Sequence, residues 1–222
     1  TALVNDRTGE VVYTPPQDPD VIRRLLSNFA DHYNGDASSL ADMAVLHYQF
    51  ETIHPFLDGN GRTGRILNVL YLILKGYLDI PILYPSSYII EHKDEYYRFL
   101  RQVTASKEWE PWILFMLNAV QATSLDTIRR VREIRDELDR TIEEIRDALP
   151  RIYTKELVET LFVHPYSKIE FLVNALGVER KAASRYLQSL EELGLLTSQK
   201  VGREKIYVNV RLMAVLSRET AA

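Results

Sequence analysis

From Leu125 to Pro150 the chain reads "LDTIRRVREIRDELDRTIEEIRDALP", with Leu125, Ile128, Val131, Ile134, Leu138, Ile142, Ile145 and Leu149 three or four positions apart. That spacing lines one face of an α-helix and leaves the charges on the other. Pro150 stops it, having no amide hydrogen and a ring that clashes with the preceding turn. So long a helix divides the chain into an amino-terminal and a carboxy-terminal part. It serves as a linker or as a helix packed on a partner, and the spacing does not choose between them.

Upstream, the text is helical almost throughout. "EVVYT" alternates weakly and stops at Pro15-Pro16, as a short strand or hairpin arm does. From Asp18, Val21, Leu25, Leu26 and Phe29 recur with helical spacing as far as Asn34-Gly35. "DASSLADMAVLHYQFETI" opens on capping residues, sets Leu40, Met43, Ala44, His47 and Phe50 on one face, and ends at His54 because Pro55 comes next. "RILNVLYLILKGYL" is apolar nearly all round and predicts a helix buried inside a bundle. "EHKDEYYRFLRQVTAS" and "PWILFMLNAVQAT" continue in the same manner.

Downstream, "IYTKELVETLFVHPY", "SKIEFLVNALG" and "VERKAASRYLQSLEELG" predict three helices, the third entered after a turn at Gly177. "LLTSQKVGREKIYVNV" predicts a two-stranded wing with Gly202 at its tip. That order resembles a winged helix-turn-helix. Residues 151–222 carry 11 Lys and Arg against 8 Asp and Glu, while the 150 before them carry 16 against 23. Arg180, Lys181, Ser184 and Arg185 on the third helix, with Lys200, Arg203 and Lys205 on the wing, are placed to reach bases and phosphates. The basic excess is small, and winged helices also serve as protein-contact and dimerisation modules. DNA, a protein partner and a homodimer therefore stand as alternatives.

The chain has no cysteine, which excludes a disulfide framework, a thiolate metal site and a cysteine nucleophile. Its longest aliphatic and aromatic run, "VLYLIL" at 69–74, is too short to span a bilayer, and no signal peptide opens the sequence. A cytoplasmic protein is the expectation. The chain starts at Thr1 with no preceding helix, which suggests a native protein extending upstream.

The chemistry concentrates in "HPFLDGNGRTGR", residues 54–65. Glycines on either side of Asn60 allow positive φ, so that successive amides converge on an anion. A helix starting near Arg62 adds its unpaired N–H groups and dipole, and Arg62 and Arg65 share one of its faces. Such a site suits a phosphate chain. Asp58 supplies a hard oxygen for Mg²⁺. His54 is the side chain able to take a proton near neutral pH. Phe56 alternates away from it and is expected to pin the loop into the core. Singly, a Gly-Asn-Gly turn or a histidine at a helix end is ordinary; their conjunction describes a hydroxyl attacking a nucleotide phosphate. A Walker A reading of "GNGRTGRI" fails, since Arg65 and Ile66 stand where Lys and Ser/Thr belong and no strand precedes.

The stretch resembles the Fic family motif His-Pro-Phe-x-Asp/Glu-Gly-Asn-Gly-Arg-x-x-Arg without departure, and the likeness runs from "VVYTPP" to "PWILFML". The resemblance implies a mainly α fold: a Fic-type helical bundle with a small β-hairpin flap over residues 1–123, a long connecting helix over 124–150, and a winged-helix domain over 151–222. It implies transfer of AMP from ATP to a hydroxyl of a target protein or of the chain itself. His54 would be the base and Asp58 the Mg²⁺ ligand. Gly59, Asn60 and Gly61 would form the anion hole at the α-phosphate, with Thr63 and Gly64 completing the loop. Arg62 and Arg65 would take the outer phosphates. Glu10, Val11, Val12 and Tyr13 correspond to the flap that docks the target, and Tyr96 to the nucleotide pocket. For Tyr96, Tyr13 and Val12, core packing is an equal reading.

The family's inhibitory helix, Ser/Thr-x-x-x-Glu-Gly/Asn, has no match; the nearest stretch, "SKEWEP" at 106–111, ends in proline. The expectation is an inhibitory helix upstream, and without it an unpaired Arg65 and a more active chain. Two further functions remain open: a regulator whose Fic core only senses a nucleotide, and a variant enzyme that uses another nucleotide donor or removes AMP.

Overall fold

The computed structural model describes residues 3–4, 11–36, 38–202 and 204–218, with backbone alone at 3, 4, 11 and 12. Two compact units meet in sequence between Thr127 and Ile128.

In the first unit, β1 (Leu3–Val4) and β2 (Val11–Tyr13) pair antiparallel, Leu3 opposite Tyr13. The helices α1 (Pro19–Asn34), α2 (Leu40–Ile53), α3 (Asn60–Leu74), α4 (Pro85–Glu91) and α5 (Lys93–Ser106) come next, and then α6 (Trp109–Ala148) begins. Local chemistry sets these starts. Asp18 accepts from the Asp20 amide at 2.8 Å with Pro19 in the first turn. Ser39 and Asp42 exchange side-chain and backbone bonds in a capping box that opens α2. Pro111 is tolerated because it lies in the first turn of α6. The core gathers Met43 and Phe50 of α2, Tyr71 and Leu72 of α3, and Trp112 of α6, whose Nε1 donates to the Ala44 carbonyl at 2.8 Å.

Two expectations need correction. The helix after the glycine loop is not buried all round: Ile66, Leu70 and Leu74, spaced by four, are 60%, 48% and 53% exposed. It packs through Gly64, Asn68, Tyr71 and Leu72, and apolar residues on the far side face outward, as soluble proteins commonly allow. Nor does a separate connecting helix begin after residue 123. With no glycine or proline between Trp112 and Leu149, α6 runs on for 40 residues, about 60 Å at 1.5 Å per residue.

In the second unit, the end of α6 leads into α7 (Lys155–Val163), β3 (Tyr166–Ser167), α8 (Ile169–Leu176), α9 (Arg180–Glu192), β4 (Leu196–Val201), β5 (Glu204–Asn209) and α10 (Val210–Leu216). The antiparallel sheet has the order β3-β5-β4, and Gly177 ends α8 with φ 64°. Ile145 of α6 is fully buried with Leu157, Leu172 and Leu187. Helices α7, α8 and α9 are followed by the β4–β5 hairpin, the order of elements read from the sequence. The two-residue β3 and the seven-residue α10 were too short to read from periodicity.

Candidate active site

α2 ends at His54. Its amide still donates to the Phe50 carbonyl at 3.1 Å, but its backbone turns left-handed, with φ 49° and ψ 56°. That conformation is costly for a residue with a β-carbon, and such outliers gather at functional sites. The ring is partly buried, and Nδ1 lies 3.3 Å from the Glu51 carbonyl. A neutral imidazole that donates from Nδ1 carries its lone pair on Nε2, the nitrogen then able to take a proton.

The loop from Pro55 to Gly59 is held by Asn60. This side chain is buried; its Oδ1 accepts from the Phe56 amide at 2.9 Å and its Nδ2 donates to the Phe56 carbonyl at 2.7 Å. The clip ties the residues after His54 to the start of α3. Phe56 itself is 49% exposed, its ring 6.3 Å from that of Phe50, so the expectation that it pins the loop into the core is corrected. Its main chain is what is held, not its ring.

Gly59 has φ 85°, a region where glycine alone is unstrained. α3 then starts at Asn60, without a side-chain cap, and its first helical bond runs from the Thr63 amide to the Gly59 carbonyl at 2.9 Å. The amides of Asn60, Gly61 and Arg62 therefore lack helical acceptors and, with the helix dipole, can receive an anion. The helix begins at Asn60 rather than near Arg62, and Gly61 lies inside it rather than at positive φ. Its missing β-carbon makes room instead: one built there would stand 3.2 Å from Arg65 Nη1. Asp58 is exposed, with Oδ1 accepting from the Gly59 amide at 2.6 Å and Oδ2 paired with Arg62 Nη2 at 2.9 Å.

Beneath this turn lies a polar cluster that sequence reading did not single out. His47 Nε2 is 3.0 Å from the Tyr96 hydroxyl, and the Asn68 amide donates to His47 Nδ1 at 3.2 Å. Burial pushes His47 down to about 4 and Glu51 up to about 7, the Arg65 charge pulling Glu51 partly back. Burial, and then the charge of Glu51, hold the Tyr96 hydroxyl well above its usual range. The signal was present in the sequence: His47 and Glu51 stand at i and i+4 on one face of α2, and His54 follows three positions later at its end.

Tyr96 is thus inside the core, 5% exposed, with its ring 5.4 Å from that of Trp112. Its neighbour Tyr97 is the tyrosine at the surface. The Tyr13 hydroxyl donates to the Thr52 carbonyl at 2.9 Å, which anchors β2 two residues before His54. Val11 and Val12 lie on β2. Glu10 falls outside the described residues. In the second unit Arg180, Lys181 and Arg185 are exposed on α9, and Arg203 lies outside the described residues. Lys205 on β5 is paired with Glu191 at 3.3 Å. Among the described residues, no helix is long and apolar enough to cross a membrane.

Two parts of the chain resemble known proteins. Residues 2–72 match the Fic/DOC family, and residues 138–212 match the C-terminal domain of SoFic-like protein adenylyltransferases. Over 112 residues the chain is 31% identical to the protein adenylyltransferase Fic of Drosophila willistoni and 32% identical to that of Culex quinquefasciatus. Each alignment covers 49% of this chain but only 21% of the relative, so the chain spans about a fifth of the length of the curated relatives it matches. A crystal structure of a Fic family protein from Desulfovibrio desulfuricans G20 superposes with a TM-score of 0.44 at 22% identity, covering 88% of this chain and 57% of that one. The helix–loop–helix around His54 therefore lies in the stretch that matches the Fic/DOC family, and the second unit carries the stretch that matches the SoFic-like C-terminal domain.

Proposed function

We propose that the protein transfers AMP from ATP to a hydroxyl side chain of a protein, with His54 as the base. The observation that carries this reading is the left-handed His54, linked through the Phe56–Asn60 clip to an uncapped helix start. A base at one end of the loop and open amides at the other suit attack by an alcohol on a bound phosphate.

In the reaction, the acceptor oxygen attacks the α-phosphorus while its proton passes to His54 Nε2. The bond from the α-phosphorus to the bridging oxygen of the β-phosphate breaks, and pyrophosphate leaves with that electron pair. The amides of Asn60, Gly61 and Arg62 face the charge that grows on the α-phosphate. Arg62 and Arg65 receive the outer phosphates through charge-assisted hydrogen bonds. The flap strand, anchored by Tyr13, offers an edge on which a target segment is held.

A Mg²⁺ ion fits here. Asp58 presents an exposed carboxylate whose oxygens keep free lone pairs, and Mg²⁺ is commonly held by one or two carboxylates with phosphate oxygens and water. No cluster of three or more His, Cys, Asp or Glu among the described residues would hold a metal by itself. When bound, the ion neutralises phosphate charge. The names of the curated relatives support the adenylyl reading.

The test is incubation with ATP labelled at the α-phosphate, comparing the wild type with His54→Ala. Label on protein with the first and not the second is expected. Label transferred from the γ-phosphate instead would replace AMP transfer with a kinase-like reaction.

A further inference from the structure

One turn before the base, Glu51 leaves α2 and ends beneath the first turn of α3. It is 8% exposed. A β-carbon at Gly64 would stand 2.6 Å from its Oε1, and one at Gly61 would stand 3.8 Å away. The same point above Gly61 lies 3.2 Å from Arg65 Nη1, so both charged ends border the turn that carries the open amides. Helical side chains lean toward the amino end of their helix, which brings Arg65 back over that turn.

Glu51 Oε1 has no hydrogen-bond partner among the described residues. A buried carboxylate is kept only against compensating positive charge. His47 does not supply it: its Nε2 is 4.0 Å from Oε1, but burial leaves the ring neutral. Tyr96, bonded to His47, keeps its proton. The remaining sources are the amino end of α3 and the Arg65 guanidinium, whose charge acts on Glu51.

We propose that Glu51 is a positioning residue for the nucleotide's phosphate chain: its buried carboxylate holds the Arg65 guanidinium over the first turn of α3, where the outer phosphates arrive. This rests on reading the site as an ATP site. An arginine fixed in advance loses less freedom when phosphate binds, so the benefit appears only with ligands that reach it. The Glu51 carbonyl also orients His54, but that contact belongs to the main chain and survives side-chain substitution.

The test is equilibrium binding of a non-cleavable ATP analogue and of AMP, with Mg²⁺ present, to the wild type, Glu51→Gln, Glu51→Asp, Arg65→Ala and Glu51→Gln/Arg65→Ala. Glu51→Gln keeps the size and removes the charge; thermal melts verify that each variant is folded. Affinity for the triphosphate should fall about tenfold in Glu51→Gln, recover in part in Glu51→Asp, and fall no further when Glu51→Gln is added to Arg65→Ala. AMP affinity should not change. Equal losses for AMP and triphosphate, additive losses in the double variant, or tighter triphosphate binding by Glu51→Gln would each overturn the assignment. The readout is binding, so failure of label transfer counts against the enzyme reading alone, whereas absence of triphosphate binding by the wild type overturns both.

Discussion

Asn60 grips both main-chain groups of Phe56, accepting from its amide at 2.9 Å and donating to its carbonyl at 2.7 Å. One buried side chain thereby closes the loop between His54 and the start of α3. Asn60→Ala strands both groups and should cost about 1–3 kcal/mol, read as a lower midpoint in urea unfolding. AMP transfer should fall further than stability alone explains, because the loop loses its closure. Unchanged unfolding midpoints would show that the clip does not hold the loop.

At Gly64, helix propensity and packing disagree. Alanine in a helix interior is favoured over glycine by roughly 1 kcal/mol. Here the added carbon would meet Glu51 Oε1 at 2.6 Å and His47 Cε1 at 3.1 Å. Overpacking should win, with Gly64→Ala less stable by about 1–3 kcal/mol. Shortening the neighbour, as in Glu51→Ala/Gly64→Ala, should recover much of that loss in a double-mutant cycle.

The buried pair makes opposite demands on pH. Glu51, raised from 4.5 to about 7, binds more protons when folded, so its contribution is full below pH 4.5 and lost as pH rises toward 7. His47, lowered from 6.5 to about 4, contributes fully above pH 6.5 and loses that contribution as pH falls toward 4. The slopes oppose one another between pH 4.5 and 6.5. Glu51→Gln should leave only the histidine term, steepening acid destabilisation by at most about 1.4 kcal/mol per pH unit. Urea unfolding at several pH values reads it directly; identical curves for wild type and variant would refute the raised proton affinity of Glu51.

Asp58 and Arg62 form an exposed ion pair at 2.9 Å, and such pairs contribute about 0–1 kcal/mol. Asp58→Ala should therefore leave the melting temperature nearly unchanged while reducing Mg²⁺-supported transfer by about tenfold or more. A magnesium titration of the initial rate separates the two, and equal rates would remove Asp58 from the metal role.

Helix starts, the β4–β5 hairpin and the polar loop were legible because each arises from local chemistry: Ser39 with Asp42, the Pro55 stop, Gly177 and Gly202. The features that escaped were tertiary. An apolar helix does not say which side will be covered, so the outward face of Ile66, Leu70 and Leu74 was unreadable. Gly61 looked like a turn residue because spacing cannot distinguish a glycine needed for its φ from one needed for the space beside Arg65. Tyr96 and Tyr97 are adjacent in the sequence, and only packing against His47 and Trp112 decides which turns inward. His47 and Glu51 could have been noticed as polar positions at i and i+4 before His54.

The left-handed backbone at position 54 would suit glycine better than histidine. His54→Gly should therefore fold at least as well as the parent and still accept nucleotide, yet leave the alcohol unactivated. Selection for thermal endurance alone would erode this protein first at position 54, where backbone ease and the proposed chemistry pull in opposite directions.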